Sequence, residues 1–291
     1  MAFSTTVKHT LNQILAYAHL RLDTLTEQSA QDRHLEKLES SGHFKRPIFA
    51  VPKSFETANV SGILEALPQF RPRFDTFCDA TKNDVGYSFT NDFFRSPDAE
   101  VFYTIMRTQK PARIIEIGSG HSTKIARQAI LDGKLNTRLL SIDPQPRAEI
   151  NALVDECVRA PVEDVDLARF DQLGANDILF IDSSHEVRIG NDGAFLYLNV
   201  LPRLARTVIV QIHDIFLPYE YPADMLADGA RDWNEQHLVH TLLTFGNAFE
   251  VIWPGYFFQR TRGDFISIFP HNTGQRAQSL WLRKGTAAVR E

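Results

Sequence analysis

Cysteine is scarce in this chain: only Cys78 and Cys157 occur, far apart and in neither metal nor redox spacing. Their scarcity excludes a disulfide-stapled scaffold and points to a reduced, cytoplasmic protein. No apolar run approaches the length needed to span a bilayer, so no membrane partner is expected. His9, Asn12, Gln13 and His19 interrupt the N-terminal stretch where a signal peptide needs a continuous apolar core. Basic residues do not predominate, with 31 Lys and Arg against 36 Asp and Glu and a net charge of −5. Nucleic-acid binding relies on a basic field, so that partner class is not expected either. Internal repeats and low-complexity segments are also missing. What remains, 43% hydrophobic and 23% charged over 291 residues, can fill one large soluble domain with an appended region.

The most informative stretch is Arg-Ile-Ile-Glu-Ile-Gly-Ser-Gly-His-Ser-Thr, residues 113–123. Its opening residues suit a buried strand, and Gly118-Ser119-Gly120 makes a tight turn. Ser122 or Thr123 can then cap a helix whose apolar positions Ile125, Ala126, Ala129 and Ile130 recur at helical spacing. A strand, a glycine turn and a helix N-terminus form a backbone cradle for part of a nucleotide-like cofactor. A dinucleotide site wants a third glycine, but Thr123 stands there, and Glu116 would repel a pyrophosphate while suiting an ammonium. A second apolar strand, Arg138 to Ile142, ends in Asp143, about where Rossmann-type folds place a ribose-binding acid, roughly 25 residues on.

The Glu-Ile-Gly-Ser-Gly-His-Ser-Thr string resembles the first motif of class I S-adenosylmethionine-dependent methyltransferases. That resemblance implies an α/β, Rossmann-like, seven-stranded and mostly parallel sheet with helices on both faces. It assigns S-adenosyl-L-methionine to Glu116, Gly118, Ser119, Gly120, Ser122, Asp143, Pro161 and Asp182. The alternating pattern after Arg113 predicts strands at 113–117, 138–142, 155–160, 177–182, 207–213, 249–253 and 279–284. In the resemblance, the last two pair antiparallel at the sheet edge.

Upstream, Val7, Leu11, Ile14, Leu15, Ala18, Leu22 and Leu25 fall on one helical stripe, and a second helical piece follows near Asp32 to Leu38. These helices should cover the catalytic domain or the same helix in a second subunit, which makes homo-oligomerisation an open expectation. Residues 1–95 read as an N-terminal helical extension and 96–291 as the methyltransferase domain. An aromatic run, from Phe70 to Tyr103, precedes the glycine turn. Most of it should be core, with Tyr87, Phe93 and Arg95 the candidates for a substrate wall.

Two predicted strands finish in acids and histidines: one in Asp182-Ser183-Ser184-His185, the other in His213-Asp214. Ligands of such sheets bind beyond the carboxyl ends of the strands. If the two strands are neighbours, Asp182, His213 and Asp214 converge as a divalent-metal site with positions open for substrate. The layout resembles metal-dependent O-methyltransferases of the catechol and macrocin type, with a histidine at 213 where an acid is usual. That substitution widens the expected metal from Mg to Mn or Fe. His185 stands where the catechol-type pattern has a lysine base, and an imidazole suits general-base work near neutrality. Asp192 could orient His185 or simply cap a helix. Phe216-Leu217-Pro218-Tyr219-Glu220-Tyr221-Pro222 reads as a stiff aromatic lid.

The function expected is transfer of a methyl group to an oxygen of a small molecule, saccharide or natural product. His185, Asp182 and His213 are the catalytic candidates, and Asp182, His213 and Asp214 the metal ligands. Two alternatives stand beside it. One is a non-heme iron oxygenase on the same fold, similar to cephalosporin hydroxylases, with His185, His213 and Asp214 as ligands. The other is a non-catalytic cofactor-binding subunit.

Overall fold

The computed structural model describes residues 5–18, 20, 22, 25–146, 149–227 and 232–285. Two compact units are distinguished, Met1–Ile48 and Phe49–Glu291. In the first, α1 spans Thr5–Leu15 and closes in a 3₁₀ turn at Ala16–Ala18, and α2 spans Leu25–Ser40. The single helix expected from Thr6 to Leu25 is therefore broken. Its cause is local: the Leu22 N–H donates to Asn12 Oδ1 at 2.6 Å, and Asn12 Nδ2 donates back to the Leu22 carbonyl at 2.9 Å. That clasp gives the backbone an alternative to the helical ladder. Residues 19, 21, 23 and 24 of the expected helix lie outside the described residues.

The second unit is built on seven strands: β1 Arg113–Ile117, β2 Arg138–Ile142, β3 Glu156–Val158, β4 Ile178–Ile181, β5 Ile209–Ile212, β6 Phe249–Pro254 and β7 Leu280–Lys284. Their order is β3-β2-β1-β4-β5-β7-β6. The first five are parallel, and β7 inserts antiparallel between β5 and β6. This is the Rossmann-like arrangement expected from the alternating pattern. Strand runs such as Ile-Leu-Phe-Ile are apolar throughout because helices cover both faces of a parallel sheet. Side-chain alternation then feeds two cores: Ile114, Ile178, Phe180 and Ile209 enter one, while Ile115, Leu179, Ile181 and Val210 enter the other. Each such fully buried side chain stabilises the fold by about 1.5–3 kcal/mol.

Four helices matter to the site. Helix α3, Asp98–Gln109, packs beside α4, His121–Gly133. Helix α5 starts at Asp192–Phe195, widens to a π turn over Leu196–Val200 and closes at Leu201–Arg203. Helix α6 covers Glu235–Phe245. Residues 49–95, read from sequence as part of the extension, supply Phe55, Phe74, Phe77 and Tyr87 to the two cores. The run Phe216 to Tyr221 is packed rather than lid-like: Phe216, Tyr219 and Tyr221 are buried in a third cluster with Tyr256. Apolar rings that find mutual contacts are not left as a cover over solvent.

Candidate active site

The strand order reverses between β1 and β4, and a cleft opens at that switch point, as open α/β sheets require. Its volume is about 550 Å³. The tips of four strands line it: Gly118 and Ser119 after β1, Asp143 after β2, Pro161 and Val162 after β3, and Asp182 after β4. Gly118 sits at φ 73°, and a Cβ built there would lie 2.0 Å from the Asp182 carbonyl oxygen. Only glycine permits that backbone approach.

Asp143 braces the turn from the neighbouring strand. Its Oδ2 accepts from the Ser119 N–H at 2.7 Å and the Ser119 hydroxyl at 2.9 Å, while Oδ1 accepts from the Gln145 N–H at 2.8 Å. Glu116 is placed differently from Gly118, Ser119, Asp143, Pro161 and Asp182. It is 1% exposed and lies beneath the turn, accepting from Ser122 Oγ at 2.7 Å and Thr123 Oγ1 at 2.6 Å. Burial raises its pKa to about 8 despite those two hydrogen bonds. Glu116, Gly120 and Ser122 are not part of the cleft lining. Gly120 instead donates its N–H to Thr123 Oγ1 at 3.0 Å, so all three organise the helix start.

Parallel pairing of β4 with β5 brings the two acid-histidine tips together. Asp182, His185 and Asp214 offer ligand atoms that all lie within 4.8 Å of one another. His185 Nε2 is 3.3 Å from Asp182 Oδ1 and 3.3 Å from Asp214 Oδ2. His213 Nδ1 is 3.7 Å from Asp182 Oδ1 and 3.5 Å from Asp214 Oδ2. Yet both ring nitrogens of His213 are buried without a hydrogen-bond partner among the described residues, and its ring packs on Phe94 at 5.5 Å. The Gln278 side-chain amide donates to Asp214 Oδ1. His185 and Asp214 both sit at positive φ, 61° and 55°, a strained backbone region that recurs at functional sites.

The two imidazoles respond to the acids around them. Burial favours a neutral His185 ring, but the hydrogen bonds it donates to Asp182 and Glu235 and the Asp214 charge override it and raise the pKa well above the usual histidine value. For His213, burial is likewise overcome by the Asp214 and Asp182 charges, and the pKa rises to about 9. Nearby Asp98 is pushed up to about 6 by burial, against the charge of His213 and its bonds from the Gln278 and Ser279 N–H groups.

Sequence reasoning missed Glu235, which accepts from His185 Nδ1 at 3.0 Å, and Trp233, whose ring lies 4.1 Å from the imidazole. Asp192 does not orient His185. Its carboxylate instead takes the Ser184 N–H at 2.7 Å and hydroxyl at 2.6 Å. The candidate substrate-wall residues separate as well. Tyr87 is buried and donates to the Phe94 carbonyl, Phe93 is exposed against His121, and Arg95 lines a separate cavity of about 350 Å³.

Fold and site together define a class: a doubly wound α/β domain with its ligand cleft over the glycine turn after β1. Residues 115–215 match a family described as a methyltransferase domain. No curated protein matches the chain significantly. Among solved structures, the SAH-bound methyltransferase PaMTH1 of Podospora anserina is 14% identical, with 91% of this chain and 98% of that one covered and a TM-score of 0.41. The O-methyltransferase of Bacillus cereus in complex with SAH is 12% identical, covering 76% and 90%, with a TM-score of 0.42.

Proposed function

We propose that this chain is an S-adenosylmethionine-dependent O-methyltransferase whose acceptor oxygen is activated at the Asp182–His185–His213–Asp214 cluster. One observation carries the reading: Asp182 belongs both to the cleft over the glycine turn and to the acid-histidine cluster. A donor lying across Gly118 and Ser119 therefore ends beside the groups that would handle an acceptor proton. Asp143 would take the ribose hydroxyls, and Pro161 with Val162 would flank the base.

The residues present fit a divalent cation. Two carboxylates face each other, and an imidazole with two orphaned buried nitrogens, His213, stands beside both, an exception that calls for a ligand. Asp182, Asp214 and His213 would hold the ion, which supplies Lewis acidity that lowers the pKa of a bound hydroxyl. Mixed oxygen and nitrogen donors admit Mg, Mn or Fe. A cation held by the two acids would offset the charges that hold the second proton on His185, and Nε2 would then be the atom that accepts the acceptor's proton. In the transfer, the acceptor oxygen bonds to the methyl carbon, the carbon–sulfur bond breaks, and the hydroxyl proton passes to His185 Nε2. The chain's remaining role is alignment, which by itself accounts for much of the rate.

A methyl-labelled donor incubated with small-molecule, saccharide and natural-product acceptors, followed by mass spectrometry, tests the reading. Failure to bind the donor by calorimetry overturns it. The compact arrangement of Asp182, His185 and Asp214 also serves one competing reading, an iron oxygenase in which His185 ligates the metal. Oxygen consumption with iron, without loss of the donor methyl, would select that reading.

A further inference from the structure

We propose that Glu235 is a positioning residue that fixes the tautomer and orientation of His185, leaving Nε2 as the atom that faces the acid cluster. The inference rests on the proposed role of that cluster. It concerns a residue fifty positions away in sequence, on a different element.

Four contacts from three consecutive residues close on His185. The N–H groups of Asn234 and Glu235, at the start of α6, both donate to the His185 carbonyl, at 3.0 and 3.1 Å. Trp233 lays its ring against one face of the imidazole, with centroids 4.1 Å apart. Glu235 itself, 1% exposed, accepts from Nδ1 at 3.0 Å. Asn234 adds a tie to the same loop, its Oδ1 accepting the Val187 N–H at 2.6 Å. That bond takes the side chain away from capping its own helix.

The carboxylate is held in turn. Its other oxygen, Oε1, accepts from the hydroxyl of Tyr197, in the π turn of α5, at 2.9 Å. With Oε1 committed to a donor, Oε2 is the acceptor left for the ring, and a carboxylate can only accept. The proton on Nδ1 is thereby specified. Nε2 is thereby left as the ring nitrogen that faces the acids, 3.3 Å from both Asp182 and Asp214. A buried carboxylate behind a functional histidine serves the same purpose in catalytic triads and behind metal-ligating histidines. The left-handed backbone at His185, φ 61°, is the strain that this clamp sustains.

The test uses the full chain labelled with ¹⁵N-histidine, with and without Mg²⁺, in the wild type and in Glu235→Gln. In the wild type with Mg²⁺, the His185 resonances should show a protonated Nδ1 and a bare Nε2. In Glu235→Gln, the amide can donate to Nδ1, so the ring should shift toward the Nε2–H form while donor binding by calorimetry stays within about twofold. A merely structural role for Glu235 would lower the melting temperature without moving the tautomer. An unchanged tautomer in a folded Glu235→Gln chain overturns the inference alone. A wild-type ring carrying both protons with and without Mg²⁺ overturns the cluster reading and the inference with it. Should Glu235→Gln not fold, Glu235→Asp carries the same test by withdrawing the carboxylate from Nδ1. A partial shift toward Nε2–H is then expected, and no shift is fatal.

Discussion

Gly118 and Asp182 touch backbone to backbone: the space a Cβ would occupy at residue 118 is already held by the carbonyl oxygen of residue 182. The contact joins the β1 turn to the β4 tip and so sets the floor of the cleft. Gly118→Ala should therefore both destabilise the fold and weaken donor binding. The left-handed backbone alone costs an alanine about 1–2 kcal/mol, and the clash adds to it. Denaturant unfolding with donor calorimetry would check this, and wild-type values in both would refute the contact.

Asp143 is expected to matter more to affinity than to folding. Asp143→Ala removes the acceptor for two Ser119 donors and the carboxylate available to a ribose. Hydrogen bonds to a charged group contribute about 1.5–3 kcal/mol, so donor affinity should fall by roughly 10–100-fold. Calorimetric titration reads it directly.

Removing metal should silence the acceptor step without emptying the donor cleft. Chelator treatment is expected to abolish methyl transfer, and added Mg²⁺ or Mn²⁺ to restore it. Asp214→Asn should weaken metal binding by more than the about 10–100-fold that loss of even an outer-shell partner costs. His185→Gln should keep metal and donor while slowing transfer by about 10²–10⁴-fold, the range of general-base catalysis.

Glu116 makes stability depend on pH in a defined direction. Its folded pKa of about 8 lies above the ordinary value of 4.5, so its proton is bound more tightly when folded. The stabilisation is complete below pH 4.5 and is lost as pH rises through about 8. Glu116→Gln cannot ionise. Its stability relative to wild type should therefore increase across that window, by on the order of a few kcal/mol. Urea midpoints of both chains at several pH values would show converging or diverging lines, and parallel lines would refute the buried-acid account.

Much of the sheet was legible because parallel strands declare themselves as short apolar runs with abrupt polar ends. Residues 113–117 and 138–142 were read with the observed bounds, and the antiparallel pairing of the last two strands was anticipated. The acids at 182 and 214 were visible for the same reason, since each terminates such a run. Glu235 was not, because an acid in the first turn of a helix is ordinary and nothing local marks its partner. Asp192 looked equally suitable by position alone and turned out to bind Ser184. Aromatic residues misled in the Phe216–Tyr221 run, where pattern cannot separate a cover from a core. The N-terminal helix failed where a side chain, Asn12, competed with the backbone ladder.

The reversed direction of β7 has a consequence for when activity can first exist. Because that strand runs against β5, its entry point abuts the exit of β5: the Ile215 N–H meets the Gln278 carbonyl at 2.9 Å, and the Gln278 amide reaches Asp214. A nascent or prematurely terminated polypeptide that stops short of residue 278 could own every acid and histidine of the cluster and still lack one of its walls. Chemistry would begin only after β7 has threaded back into the sheet.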